Sequence, residues 1–193
     1  MSYEWDSSII CPKDPTATPE RIAEYKTHYR VKHGLARECN PQVIVEIGVR
    51  CGYSAWAFLT ACPDAKYHGF DADNGTHGGQ GGPWTWWAEK ILAERKFDFE
   101  IHAPFDTQDK IAMPVSADFY HIDGDHTVKG VQHDLDICWE AANGGAVLLV
   151  DDYDYIDDVK QGVDEWLAAR PEIKWKHVPS LRGEIVIKKD WIS

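Results

Sequence analysis

From residue 42 onward, short apolar runs alternate with longer stretches in which apolar residues recur every three or four positions. The runs QVIVEIG, YHGFDAD, DFEIHA, ADFYHID and GAVLLVDD are too short for helices and apolar at consecutive positions, the pattern of strands buried on both faces of a parallel sheet. The intervening stretches, Tyr53 to Ala61, Trp84 to Arg95, Thr127 to Ala142 and Ile156 to Arg170, carry helical spacing; the last aligns Val159, Val163 and Leu167 on one face. Five strand–helix units follow from this alternation. After Pro171, the runs IKWKHV and GEIVIKK, joined by the short turn Pro179 to Gly183, predict an antiparallel hairpin at one sheet edge. The expected architecture is α/β: a seven-stranded, mostly parallel sheet with helices on both faces.

Residues 1–17 are polar, proline-containing and without a period, so they read as an irregular lead segment able to pack on the core. At Thr18-Pro19-Glu20, a capping residue, a first-turn proline and an early acid announce a helix over 18–38, with Ile22, Tyr25 and Tyr29 at helical spacing. The segment Asn74 to Trp87, NGTHGGQGGPWTWW, is too glycine-rich for a regular element. It reads equally as a surface loop entering an aromatic helix or as a lid over a ligand.

With 193 residues the chain suits a single domain with its own core. A formal charge of −12 would repel a phosphate backbone, which argues against nucleic acid as a partner. The five cysteines form no CxxC pair, so neither a disulfide framework nor a zinc knuckle is expected, and a reducing cytoplasm fits. No basic leader and no membrane-length apolar run stand in the sequence.

In an open parallel sheet, ligands bind beyond the carboxyl ends of the strands, so the strand-terminal residues carry the candidate chemistry. The first strand ends in Glu46-Ile-Gly48-Val-Arg-Cys-Gly52-Tyr-Ser54, whose glycines allow a tight turn and a close backbone approach to a ligand. Alone, this could be a plain strand-to-helix turn, and it is not the glycine fingerprint of dinucleotide enzymes. The second strand ends in Gly69-Phe-Asp71, where a carboxylate can accept hydrogen bonds from both hydroxyls of a ribose. The pair resembles the class I S-adenosylmethionine-dependent methyltransferases, whose first motif has the form E-x-G-x-x-x-G and whose second strand ends in a ribose-binding acid. The resemblance implies a Rossmann-like core over 42–189. It also implies that Gly48 and Gly52 pass under the methionine part of the cofactor, that Glu46 and Ser54 help fix it, and that Asp71 binds the ribose. Asp106, after the third strand, is a looser match to an adenine contact.

The fourth strand ends in His121-Ile-Asp123-Gly-Asp125-His126 and the fifth in Asp151-Asp152-Tyr153-Asp154. If the strands are neighbours, about 4.8 Å apart, these carboxylates converge, and like charges so close call for a cation. A hard, oxygen-liking ion such as Mg²⁺ or Mn²⁺ would answer it. Helix capping by Asp125 and Asp154 is the competing explanation for part of the set. The run Ile122 to His126 followed by Gly144 to Tyr153 is similar to the metal-dependent O-methyltransferases, including catechol O-methyltransferase and sugar-modifying enzymes of antibiotic pathways. That resemblance implies metal ligands at Asp123, Asp151 and Asp152 and a general base at Asp125, with His126 as the competing base. The acceptor implied is a small molecule with a vicinal diol, sugar or catechol hydroxyl. His77 could reach a substrate, whereas His33, His68, His102, His133 and His177 read as surface or packing residues. The acid cluster by itself would also serve a metal-dependent hydrolase or phosphoryl-handling enzyme, and the fold by itself a non-catalytic S-adenosylmethionine-binding protein. The chain is short for the sugar-modifying group and lacks its long N-terminal additions, which leaves room for a homo-oligomer without requiring one.

Overall fold

A computed structural model of the chain describes residues 3–75 and 82–189. One seven-stranded sheet runs in the order β3-β2-β1-β4-β5-β7-β6. Its strands are β1 (Val43–Ile47), β2 (Lys66–Phe70), β3 (Phe99–His102), β4 (Phe119–Ile122), β5 (Val147–Val150), β6 (Trp175–Val178) and β7 (Glu184–Lys188). The first five pair in parallel, and β7 joins β5 and β6 antiparallel, as the hairpin pattern predicts. Chain order reverses between β1 and β4, so the crevice at their carboxyl ends is the switch point at which such sheets bind ligands.

Among the described residues, five helices pack on the sheet: α1 (Pro19–Cys39), α2 (Tyr53–Ala61), α3 (Thr85–Glu94), α4 (Val128–Ala141) and α5 (Asp157–Ala168). The period-two alternation of the strands divides the core. Ile44, Phe119, Leu149 and Val186 face α1, α2 and α3, whereas Val45, Tyr120, Leu148 and Ile187 face α4 and α5. Helix α1 begins as its sequence dictates, with Thr18 accepting the Arg21 N–H at 3.3 Å and Pro19 in the first turn, and it stops at Asn40 in the left-handed conformation. The lead segment has one short 3₁₀ turn, Ser7–Ile9, and packs on the core: the Trp87 indole donates to the Ile9 carbonyl at 2.6 Å and the Cys11 N–H to the Tyr53 hydroxyl at 2.9 Å. Residues 76–81, including His77 and the middle of the glycine-rich stretch, lie outside the described residues. No helix among the described residues is long and apolar enough to cross a membrane.

Candidate functional site

A cleft of about 400 Å³ opens beyond the carboxyl ends of β1, β2, β4 and β5. Of the residues singled out from the sequence, Gly48, Asp71, Asp106, Asp123, Asp125, His126 and Asp152 line it together. At Gly48, φ is +87° and any Cβ would fall on the Asp123 carbonyl, so only glycine lets β1 turn into the crevice here. Asp71 follows Phe70 at the end of the neighbouring strand β2. Its carboxylate accepts the backbone N–H groups of Arg50 at 2.8 Å and Asp73 at 2.6 Å, which fixes its direction, while burial pushes its pKa up. Asp106 caps the 3₁₀ turn Thr107–Asp109, accepting the Gln108 N–H at 3.0 Å, at the cleft's far wall.

Glu46, Ser54 and Gly52 depart from their expected place. Glu46 points to the α2 face of the sheet and is fully buried, accepting hydrogen bonds from the Ser54 and Tyr67 hydroxyls and from His121 Nδ1 at 2.7 Å. Neither Glu46 nor Ser54 lines the cleft; strand alternation turns that face toward α2 and away from the crevice. Gly52, at φ +76°, serves packing instead, because a Cβ there would meet the Ala88 Cβ at 2.6 Å and separate α2 from α3.

The acids after β4 and β5 divide between two environments. Asp123 and Asp152 face the cleft; Asp123 accepts from His126 Nε2 at 3.1 Å and Asp152 from the Arg182 guanidinium at 3.2 Å. Asp151 points the other way, into a buried cluster where Lys32 Nζ binds its Oδ2 and donates to His121 Nε2 at 2.7 Å, with His28 at 3.4 Å. Burial opposes charge on Asp151, yet Lys32, His28 and His121 hold its carboxyl well below the usual range. On Asp152, burial and the nearby Asp151 and Asp123 push the pKa up to about 7, against the pull of Arg182. His126 is pulled down by burial, but the hydrogen bond to Asp123 and the surrounding acids raise it to about 9.

These donors fit a divalent cation. Donor atoms of Asp123, His126 and Asp152 lie within 4.8 Å of one another, as do those of His121, Asp123 and Asp151, so Asp123 belongs to both groups. Among the described residues the buried Asp151 Oδ1 has no hydrogen-bond partner, so it remains open to a cation while the other oxygen is occupied. The trio expected from the sequence is therefore divided, with Asp123 central and His126 offering a donor. Asp125 lines the cleft and accepts the Thr127 N–H at 2.9 Å, but the cap of α4 is Thr127 itself, whose hydroxyl accepts the Gly130 N–H at 3.1 Å, so helix capping does not account for Asp125.

Sequence reasoning passed over Arg50, Arg21, Tyr25, Tyr155 and Arg182, which complete the cleft. Arg50 is held by Asp14 and Thr16 of the lead segment, while Arg21 and Arg182 lie over the Tyr155 ring at 5.8 and 5.1 Å. No local motif marks them, because their partners are distant in sequence.

A methyltransferase-domain family matches residues 45–153, more than half of the chain and the whole stretch from the β1 motif to the β5 acids. The chain belongs to the class I S-adenosylmethionine-dependent methyltransferases. With that membership, the hydrolase reading of the acid cluster loses its basis. Solved structures share the fold. The O-methyltransferase TomG from Streptomyces achromogenes, in complex with S-adenosylmethionine, is 20% identical with a TM-score of 0.65, over 84% of this chain and 79% of that one. An O-methyltransferase from Bacillus cereus, in complex with S-adenosylhomocysteine, is 15% identical with a TM-score of 0.67, over 93% and 84%. The Podospora anserina methyltransferase PaMTH1, bound to S-adenosylhomocysteine, is 16% identical with a TM-score of 0.64, over 91% and 83%. No curated protein matches the sequence.

Proposed function

We propose that this methyltransferase moves the methyl group of S-adenosylmethionine to a hydroxyl oxygen of a small molecule, and that a divalent cation assists. One observation carries the reading: a single cleft holds Gly48 and Asp71 together with Asp123, Asp125, His126 and Asp152. The O-methyltransferases TomG and that of Bacillus cereus share the fold, which supports an oxygen acceptor.

The cofactor supplies an electrophilic methyl group on a sulfonium. Asp71, its direction preset by Arg50 and Asp73 N–H groups, accepts the ribose hydroxyls, while the absence of a side chain at Gly48 allows the backbone to approach the methionine part. Asp123 and Asp152, with the open Asp151 oxygen, would hold the cation, which would lower the pKa of an acceptor hydroxyl. Asp125, two residues past Asp123 on the cleft wall, takes that proton, while His126 stays bonded to Asp123 and orients it. Two adjacent hydroxyls would direct one oxygen toward the methyl carbon best, so a vicinal diol, sugar or catechol is the acceptor class. Tyr25 and Tyr155 line the same cleft and offer ring surface.

Incubation with methyl-labelled S-adenosylmethionine and a panel of catechols, sugars and matched mono-hydroxyl compounds tests this directly. Labelled product from diols, lost on chelation and restored by Mg²⁺ or Mn²⁺, is expected. Transfer to amines or thiols alone, or turnover indifferent to chelator, would overturn the oxygen or the metal assignment respectively.

A further inference from the structure

A second cluster of metal-type donors lies away from the cleft acids, on the outer strands β2 and β3. Parallel register sets His68 beside Glu100 and Phe70 beside His102. Since side chains two apart share a face, His68, Glu100 and His102 all project from the same side of the sheet. The sequence assigns both histidines to surface or packing roles, because the pairing of β2 with β3 is invisible in the local pattern.

The three donor atoms form a compact triangle. His68 Nδ1 and His102 Nε2 are 3.5 Å apart, and Glu100 Oε2 lies 3.7 Å from the first and 3.9 Å from the second. A tetrahedral zinc ion with bonds of 2.0–2.1 Å separates its donors by about 3.4 Å, so inward movement of a few tenths of an ångström would close the site. Supporting contacts are in place. The other Glu100 oxygen receives Lys66 Nζ at 2.7 Å, and the His102 ring stacks on Phe70 at 4.5 Å with an 11° tilt between planes. Glu100 and His102 are partly exposed, at 50% and 35% of their side-chain surface, so an ion can enter and a fourth position can stay open to water.

We propose that His68, Glu100 and His102 form a site for a borderline divalent ion such as Zn²⁺, separate from the cation of the cleft. Two imidazoles and one carboxylate select zinc or cobalt over magnesium, which prefers oxygen donors and several waters. The ion would tie the outermost strand β3 to β2 directly before the residues that turn into the cleft wall, Asp71 after Phe70 and Asp106 after His102.

The test uses the full chain after chelator treatment and dialysis, titrated with Co²⁺ and then Zn²⁺. To silence the cleft acids, each titration is repeated in the Asp123→Asn background. One equivalent of Co²⁺ should give the intense visible bands of a four-coordinate nitrogen–oxygen site, displaced by Zn²⁺ and unchanged by Asp123→Asn. His102→Ala and Glu100→Gln, both on an exposed edge, should each weaken Zn²⁺ binding about tenfold or more while far-ultraviolet dichroism stays native. Loss of the bands in Asp123→Asn, affinity no tighter than about millimolar in the wild type, or equal affinity in His102→Ala would overturn the proposal.

Discussion

The Lys32 ammonium, carried on α1, is bonded to the carboxylate of Asp151 just past β5, and both side chains are buried. This contact extends inward: Lys32 also donates to His121 Nε2, and His121 Nδ1 donates to Glu46 beneath α2. The chain thus supplies its own counter-charge to one of the acids that converge at the strand ends. Convergence of carboxylates implies a cation, and here part of that requirement is met by lysine.

Lys32→Met tests the weight of this contact. The substitution keeps the length of the side chain and removes the ammonium from the buried Asp151 carboxylate, a change that costs about 3–5 kcal/mol when one partner of a buried pair is removed. Urea unfolding should show a midpoint lowered accordingly. A loss under about 1 kcal/mol would mean that water or rearrangement compensates Asp151.

Asp134 gives a pH-dependent prediction. It is fully buried on α4 behind the Asp123–Asp125 turn and accepts from Gln108 at 3.0 Å; burial raises its pKa to about 6. A carboxyl whose pKa is raised on folding favours the native state while protonated. That contribution is whole below about pH 4 and is lost as pH rises through 6, so ionisation at pH 8 costs on the order of 2–3 kcal/mol. Asp134→Asn should therefore stabilise the protein at pH 8 and have little effect at pH 4.5. Thermal unfolding at both values checks it, and an equal change at both would show that Asp134 does not titrate in this range.

Much of the fold was legible in the sequence because its signals are local. The helix read at Tyr53 to Ala61 forms over those residues, and the others end within a residue or two of their expected bounds. The β7–β6 hairpin followed from its turn. Within the site, Gly48, Asp71, Asp123 and Asp152 were legible because each ends a strand at the ligand face. The facing of Glu46 and Asp151 was not, since it depends on which side of the strand meets α1 and α2. Nothing in the local pattern marks Lys32, and only the packing of α1 over β5 and β7 makes it a buried partner of Asp151 and a neighbour of Glu184. Arg50 and Arg182 meet the cleft through Asp14 and Asp152, contacts that span 36 and 30 residues.

The cleft acids should separate by role. Asp123→Asn and Asp152→Asn should each weaken Mn²⁺ binding, followed by the paramagnetic resonance of the free ion, because each removes a carboxylate ligand. Asparagine is well tolerated in the left-handed conformation Asp152 adopts at φ 59°, so that fold is retained. Asp125→Asn should keep Mn²⁺ affinity and lower turnover about 10²–10⁴-fold, as loss of a proton acceptor does. Full activity in Asp125→Asn together with loss in His126→Ala would transfer the base to His126.

Whether the cofactor lies in this cleft with its ribose on Asp71 is decided by titration calorimetry with S-adenosylhomocysteine. Wild-type protein should bind one equivalent. Asp71→Ala should weaken binding by roughly 1.5–3 kcal/mol through loss of charge-assisted hydrogen bonds. Binding of the nucleoside with the same affinity in both proteins, or none in the wild type, would contradict the account.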